Sequence, residues 1–158
     1  MIVSDSLKGR PVHESISEYS ELALPNDTNP LGHVLGGHVM HLVDMAGALA
    51  AMRHARRPVV TASVDQMTFL HPVKVGQLIR LQSSVNRVFR TSMEVGVIVH
   101  VEDLTSGELR HTSSAYLTFV ALDDDENPTP APPVIPETDE EKRRYKEAGE
   151  RRKHRLEM

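Results

Sequence analysis

The groups able to do chemistry concentrate in residues 26–44, NDTNPLGHVLGGHVMHLVD. Asp44 is the sharpest of them. It sits between Val43 and Met45 in an otherwise apolar run. A carboxylate in such a place costs several kcal/mol unless it is paired or lines a cavity. In a cavity it can act as a general base or a nucleophile. The bland alternative is a structural acid bonded to a neighbouring loop, and residue types alone leave the two readings even. Gly36-Gly37 stands where a helix is predicted to begin. Free N–H groups there form a ready anion or oxyanion site, and glycine lets a ligand approach the backbone closely. Flexible chain at a helix start is the alternative. Asn29 can orient water or a carbonyl, although taken alone it reads as a turn residue.

Other constellations are weaker. His38, His41 and Asp44 recur every three residues. Positions six apart lie about 600° around a helix, so one helix cannot present all three to one ion, and no metal is expected. His33, His38 and His41 are expected to line a pocket rim or face solvent. Arg90-Thr91-Ser92, with Lys74, can bind phosphate through charge and hydroxyl donors; taken alone, the triplet reads first as a hairpin turn with an exposed cation. The chain has no G-x-S-x-G, P-loop, G-x-G-x-x-G or H-E-x-x-H motif. It has no Cys, which excludes a disulfide framework, a thiolate nucleophile and Cys-ligated zinc.

These groups need a scaffold. Residues 12–22 alternate weakly and predict a half-exposed strand. Residues 23–35, with two Pro, predict a loop. Residues 38–55 are rich in Ala, Met and Leu, lack Pro, and predict a helix buried on most of its surface. Residues 59–67, 77–88, 91–102 and 109–122 are β-branched or alternating and predict four strands. A lone helix this apolar must be wrapped by the sheet, since nothing else can cover it. Residues 123–136 read as an acidic, Pro-rich linker. In the last segment, 137–158, Thr138 and Glu141 have capping-box spacing, and acids lead while bases follow.

Charge divides the 158-residue chain at the same place. Residues 123–158 hold 11 acids and 8 bases, whereas the 122 residues before them hold 11 and 10. The body is one domain with a near-neutral balance, which gives no nucleic-acid footprint. No apolar run approaches the ~20 residues of a membrane span. Residues 1–10 show no signal-peptide core, so a cytoplasmic address is expected.

The run PNDTNPLGHVLGGHVMHLVDMAG resembles the hotdog-fold acyl-CoA thioesterases of the acyl-CoA hydrolase branch: Asn29, Gly32, the pair Gly36-Gly37 and Asp44 fall in the family pattern. Residues 59–81, RTSMEV at 90–95, SAYLTFVALD at 114–123 and the tail continue the likeness. Leu35 stands where Phe is usual and Met45 where an acid is common; both bear on the acyl pocket. The resemblance implies an α+β hotdog fold, an antiparallel sheet around one long central helix, with a charged C-terminal helix. It divides the chain into a hydrolase domain (1–122), a linker (123–136) and a helix (137–158). It implies hydrolysis of acyl-CoA to fatty acid and coenzyme A, with no cofactor beyond the coenzyme A of the substrate. Asp44 would be base or nucleophile, Gly37 N–H would polarise the carbonyl, and Asn29 would position water or thioester. Gly36, Thr61, Ser63, Lys74, Arg90, Thr91 and Ser92 would contact the substrate or its coenzyme A, and the helix near Arg151-Arg152 would either help the subunits assemble or touch coenzyme A. The family further implies a catalytic homodimer, with Asn29 and Asp44 from different subunits, assembling to a hexamer. The competing readings are an (R)-specific enoyl-CoA hydratase, weakened because Gly32 intrudes before His33, and a non-catalytic coenzyme A-binding module.

Overall fold

The computed structural model describes residues 7–65 and 67–157. Most of the N-terminal stretch read for a targeting signal, and Gln66 of the 59–67 strand, lie outside them. In chain order the elements are β1 (Arg10–Pro11), β2 (Ser17–Leu22), α1 (Gly36–Ala55), β3 (Val59–Val64), β4 (Leu78–Val88), β5 (Ser92–Glu102), β6 (Leu109–Ala121), β7 (Val134–Ile135) and α2 (Asp139–Leu156). Five strands form an antiparallel sheet in the order β2-β4-β5-β6-β3, so β2 and β3 are its edges.

The period-two pattern of the long strands selects the inner face. Ile79, Leu81 and Val85 of β4, Met93 through Val101 at every second position of β5, and Ala115, Leu117 and Phe119 of β6 are all buried. Against them α1 lays Val39, Leu42, Val43, Ala46 and Ala50. Gly47 makes the closest approach: a Cβ there would lie 3.0 Å from the Phe119 ring. Burial of α1 is one-sided, however. Gly36, Gly37, Met40, His41, Met45, Met52 and Arg53 are exposed. A curled sheet of five strands reaches around one side of a helix, and the other apolar side stays open in the single subunit. No described helix is long and apolar enough to cross a membrane.

The predicted 12–22 strand begins only at Ser17. Ser15 Oγ donates to Val12 O at 2.7 Å and accepts from Val85 N–H at 2.9 Å, which closes a 3-10 turn at Val12–Glu14 instead. The 123–136 segment is strapped to the body. Ala131 N–H donates to Arg90 O, and β7 pairs in parallel with β1. His54 Nε2 bonds Pro132 O at 2.7 Å and is thereby the donor. The imidazole is fully buried, and its Nδ1 has no partner among the described residues.

The charged helix α2 docks on the outer face of its own sheet. Its capping box forms, with Glu141 N–H donating to Thr138 Oγ1 at 3.0 Å and Thr138 N–H to Glu141 Oε1 at 3.2 Å. Arg151 makes two 2.8 Å hydrogen bonds to Glu94, whose side chain is 1% exposed. Asn86 Nδ2 adds a third at 2.9 Å, and the Arg151 guanidinium lies 3.6 Å above the Tyr116 ring. Gly149 leaves room for Arg87; a Cβ there would collide with its guanidinium.

Arg151→Ala strands a buried carboxylate and is expected to destabilise the fold by about 3–5 kcal/mol. Arg155→Ala breaks the partly exposed pair with Asp65 and should cost below about 1 kcal/mol. Thermal unfolding of the two variants checks the contrast. His54 supplies a pH test. Burial, its largest cause, holds the imidazole pKa below the ordinary 6.5, opposed by the Pro132 carbonyl. The unfolded chain therefore binds more protons, and this contribution to stability is present above pH 6.5 and lost as pH falls through the depressed folded value. His54→Gln should flatten the fall in melting temperature as pH drops below about 6.5, relative to wild type.

Candidate active site

The loop before α1 is built around Asn29. Its Oδ1 accepts from Leu31 N–H at 2.9 Å and His33 N–H at 3.1 Å. The chain turns back at Gly32, whose φ of 79° suits glycine, and Gly32 N–H bonds Asn29 O. Val34 N–H donates to Val73 O, and His33 pairs with Lys74, so the loop is pinned to the chain entering β4. With the oxygen committed twice, the –NH2 group is what the Asn29 amide has left to offer a ligand.

The Gly pair proves to be the first turn of α1 itself. The first backbone N–H groups of a helix lack intrahelical partners, and a Cβ added at Gly37 would meet nothing within 4 Å. The fold of one subunit thus does not demand glycine there. A cleft of about 370 Å³ joins Asn29, Gly36, Val39 and Phe69.

Asp44 lies two turns further along, seven residues and about 10.5 Å from Gly37 on the same helix face. It is half-buried on the open side of α1. Thr61 Oγ1, from edge strand β3, donates to Asp44 Oδ1 at 2.7 Å and fixes the carboxylate. Ser63 follows beyond an irregularity in the β3–β6 register. Asp44 does not line the cleft that holds Asn29. Within one subunit, then, Asn29 and the acid belong to separate surfaces, while Gly37 shares the open face of α1 with Asp44.

The remaining sequence candidates also divide. Lys74 and Arg90 are both exposed, but they stand at opposite ends of β4, an 11-residue strand that spans roughly 36 Å at about 3.3 Å per residue. Thr91 and Ser92 lie with Arg90 at the β4–β5 turn, where Arg152 stacks 4.7 Å above Phe89. Arg151 spends its Nε and Nη2 donors on Glu94. His38, expected on a pocket rim or facing solvent, instead meets Glu21 and Asp27: its Nε2 is 2.7 Å from Glu21 Oε2 and 3.7 Å from Asp27 Oδ2. Sequence spacing gave no sign of this cluster, because its members come from β2, the loop and α1.

Residues 31–108 match the thioesterase superfamily. Over 117 residues the chain is 44% identical to the Bacillus subtilis uncharacterized acyl-CoA thioester hydrolase YkhA, covering 74% of this chain and 68% of that protein. It is 41% identical to mouse acyl-coenzyme A thioesterase 11, with 88% of this chain aligned, but spans only 23% of that longer protein. A solved apo-hexameric acyl-CoA thioesterase superposes with a TM-score of 0.91 at 43% identity, covering 95% of this chain and 96% of that one. The Staphylococcus aureus acyl-CoA hydrolase, solved with butyryl coenzyme A and coenzyme A, gives 0.86 at 37% identity, covering 93% and 90%. Variants of that hydrolase with an Asp, an Asn or a Thr changed to Ala have also been solved. This chain belongs to the hotdog-fold acyl-CoA thioesterase family.

Proposed function

We propose that the protein hydrolyses acyl-CoA to a free fatty acid and coenzyme A at a site shared between two subunits. The observation that carries this reading is Asp44: the one acid of α1, on its open face, with one carboxylate oxygen held by Thr61. The second oxygen is left for a water or for the thioester carbon. The Gly37 N–H, at the positive end of the helix, and the Asn29 –NH2 would receive the developing oxyanion. Asn29 serves in this reading as a hydrogen-bond donor, since its oxygen is already used within the loop. Water adds to the carbonyl carbon, the carbon–sulfur bond breaks, and the thiolate leaves with a proton as coenzyme A.

Sharing between subunits follows from what is left open. The β3 edge exposes Val60, Ala62 and Val64, and α1 exposes Met40, Met45 and Met52. An unpaired edge beside an apolar helix face is a surface that a second copy would cover. Such pairing would bring the Asp44 of one subunit to the Asn29 cleft of the other. It would also let Lys74 of one subunit and Arg90, Thr91 and Ser92 of the other serve a single coenzyme A. Assembly of the dimers to a hexamer is proposed from the hexameric relative. The hydratase reading loses ground here, because Asp27, the acid its motif would use, is turned toward His38 and Leu24 N–H.

Asp44→Asn should keep the fold and lower acyl-CoA hydrolysis by about 10²–10⁴-fold, measured by thiol release. Turnover at the wild-type rate would sink the proposal. The shared site makes a second prediction. Asn29→Ala and Asp44→Asn subunits, each weakly active alone, should regain activity when mixed and reassembled. A verified heterodimer with no regained activity would refute sharing.

A further inference from the structure

We infer that Glu21, Asp27 and His38 form a binding site for a divalent transition-metal ion of the zinc type. The site lies outside the proposed reaction, and the inference does not depend on that proposal.

Three separate elements deliver the ligand atoms: the end of β2, the 3-10 turn at Pro25–Asp27, and the first turn of α1. The His38 Nε2, one Glu21 oxygen and one Asp27 oxygen all lie within 4.8 Å of one another. A tetrahedral ion with ligands at about 2.0–2.1 Å has ligand–ligand edges of about 3.3 Å. The two separations from Nε2, 2.7 and 3.7 Å, bracket that edge. The three side chains are 23–29% exposed, which leaves solvent access for a fourth, water ligand. One nitrogen and two carboxylate oxygens are a donor set that first-row divalent ions accept.

Charge points the same way. A single Nε2–H can serve one carboxylate, and Glu21 is the nearer. Among the described residues, Asp27 Oδ2 then receives only a 3.4 Å hydrogen bond from Leu24 N–H. Two like charges are thus gathered around one imidazole, with the second poorly compensated. A divalent ion neutralises both carboxylates and takes the place of the Nε2 proton. Tyr19 OH, donating to the far Glu21 oxygen at 3.1 Å, would orient that ligand from outside the shell. Because Asp27 and Asn29 share one loop, a bound ion would tie that loop to the start of α1.

Titration calorimetry of the full chain, stripped with chelator and titrated with Zn²⁺, tests the site, with visible absorption of the Co²⁺ form as a second readout. One ion per subunit is expected. His38→Ala should weaken binding by about 100-fold or more, above the range of outer-shell effects. Asp27→Asn should weaken it as well, which keeps the test decisive if one variant misfolds. His13→Ala, a surface histidine, should bind as wild type. Zn²⁺ should raise the melting temperature of wild type and not of His38→Ala. No stoichiometric ion on wild type, or undiminished binding by both site variants, would overturn the proposal.

Discussion

The contact between α1 and the sheet at Gly47 sets the geometry of everything else. Small residues Ala46, Gly47 and Ala50 let the helix lie directly on Phe119 and Val97. Such close packing leaves little freedom in the rotation of α1 about its axis, because turning it would drive a larger side chain into Phe119. Once that rotation is fixed, the opposite face is fixed too. Asp44 must look away from the centre of the sheet, toward Thr61 on its β3 edge, and Gly37 must look out two turns earlier. The acid is therefore positioned by apolar packing on the far side of its own helix.

The same logic explains why a polar cluster is tolerated on the outer face. Glu94 faces away from α1, and it is covered only because α2 crosses it. The bidentate Arg151 contact and Asn86 saturate the carboxylate. A buried pair of this kind contributes modest net stability but penalises any misplacement of α2 heavily. It specifies where the helix sits. Aromatic stacking by Arg87 on Tyr145 and by Arg152 on Phe89 extends that register along the helix.

Much of this was legible in the chain because it is local. Alternation located the three long strands, Pro58 and the apolar run bounded α1, and Thr138 with Glu141 located the start of α2. Asn29, the Gly pair and Asp44 stood out because a polar loop, a helix start and a lone acid are visible in one dimension. Long-range events were not. Ser15 turns the chain by bonding to Val85, 70 residues away. Glu94 reads as an ordinary outward strand residue until Arg151 arrives 57 positions later. The cleft that holds Asn29 but excludes Asp44 is a fact of three-dimensional placement. So is the separation of Lys74 from Arg90 by the length of β4.

Electrostatics follows from the same placement. The tail carries 19 of the chain's charged residues in 36 positions, yet much of that charge is spent on contacts at short range. Arg143 and Arg144 pair with Glu147 and Glu140 along α2, Arg151 with Glu94, and Arg155 with Asp65. Paired charges produce little field beyond a Debye length of about 8 Å at physiological ionic strength. Long-range steering of a polyanion by α2 is therefore weak. What α2 does supply is a stacked cation, Arg152 on Phe89, beside the exposed Arg90. Under the proposed function, coenzyme A phosphates would meet a few fixed donors at the β4–β5 turn. Recognition would then depend on the docking of α2 through Glu94 as much as on the charge of the helix itself.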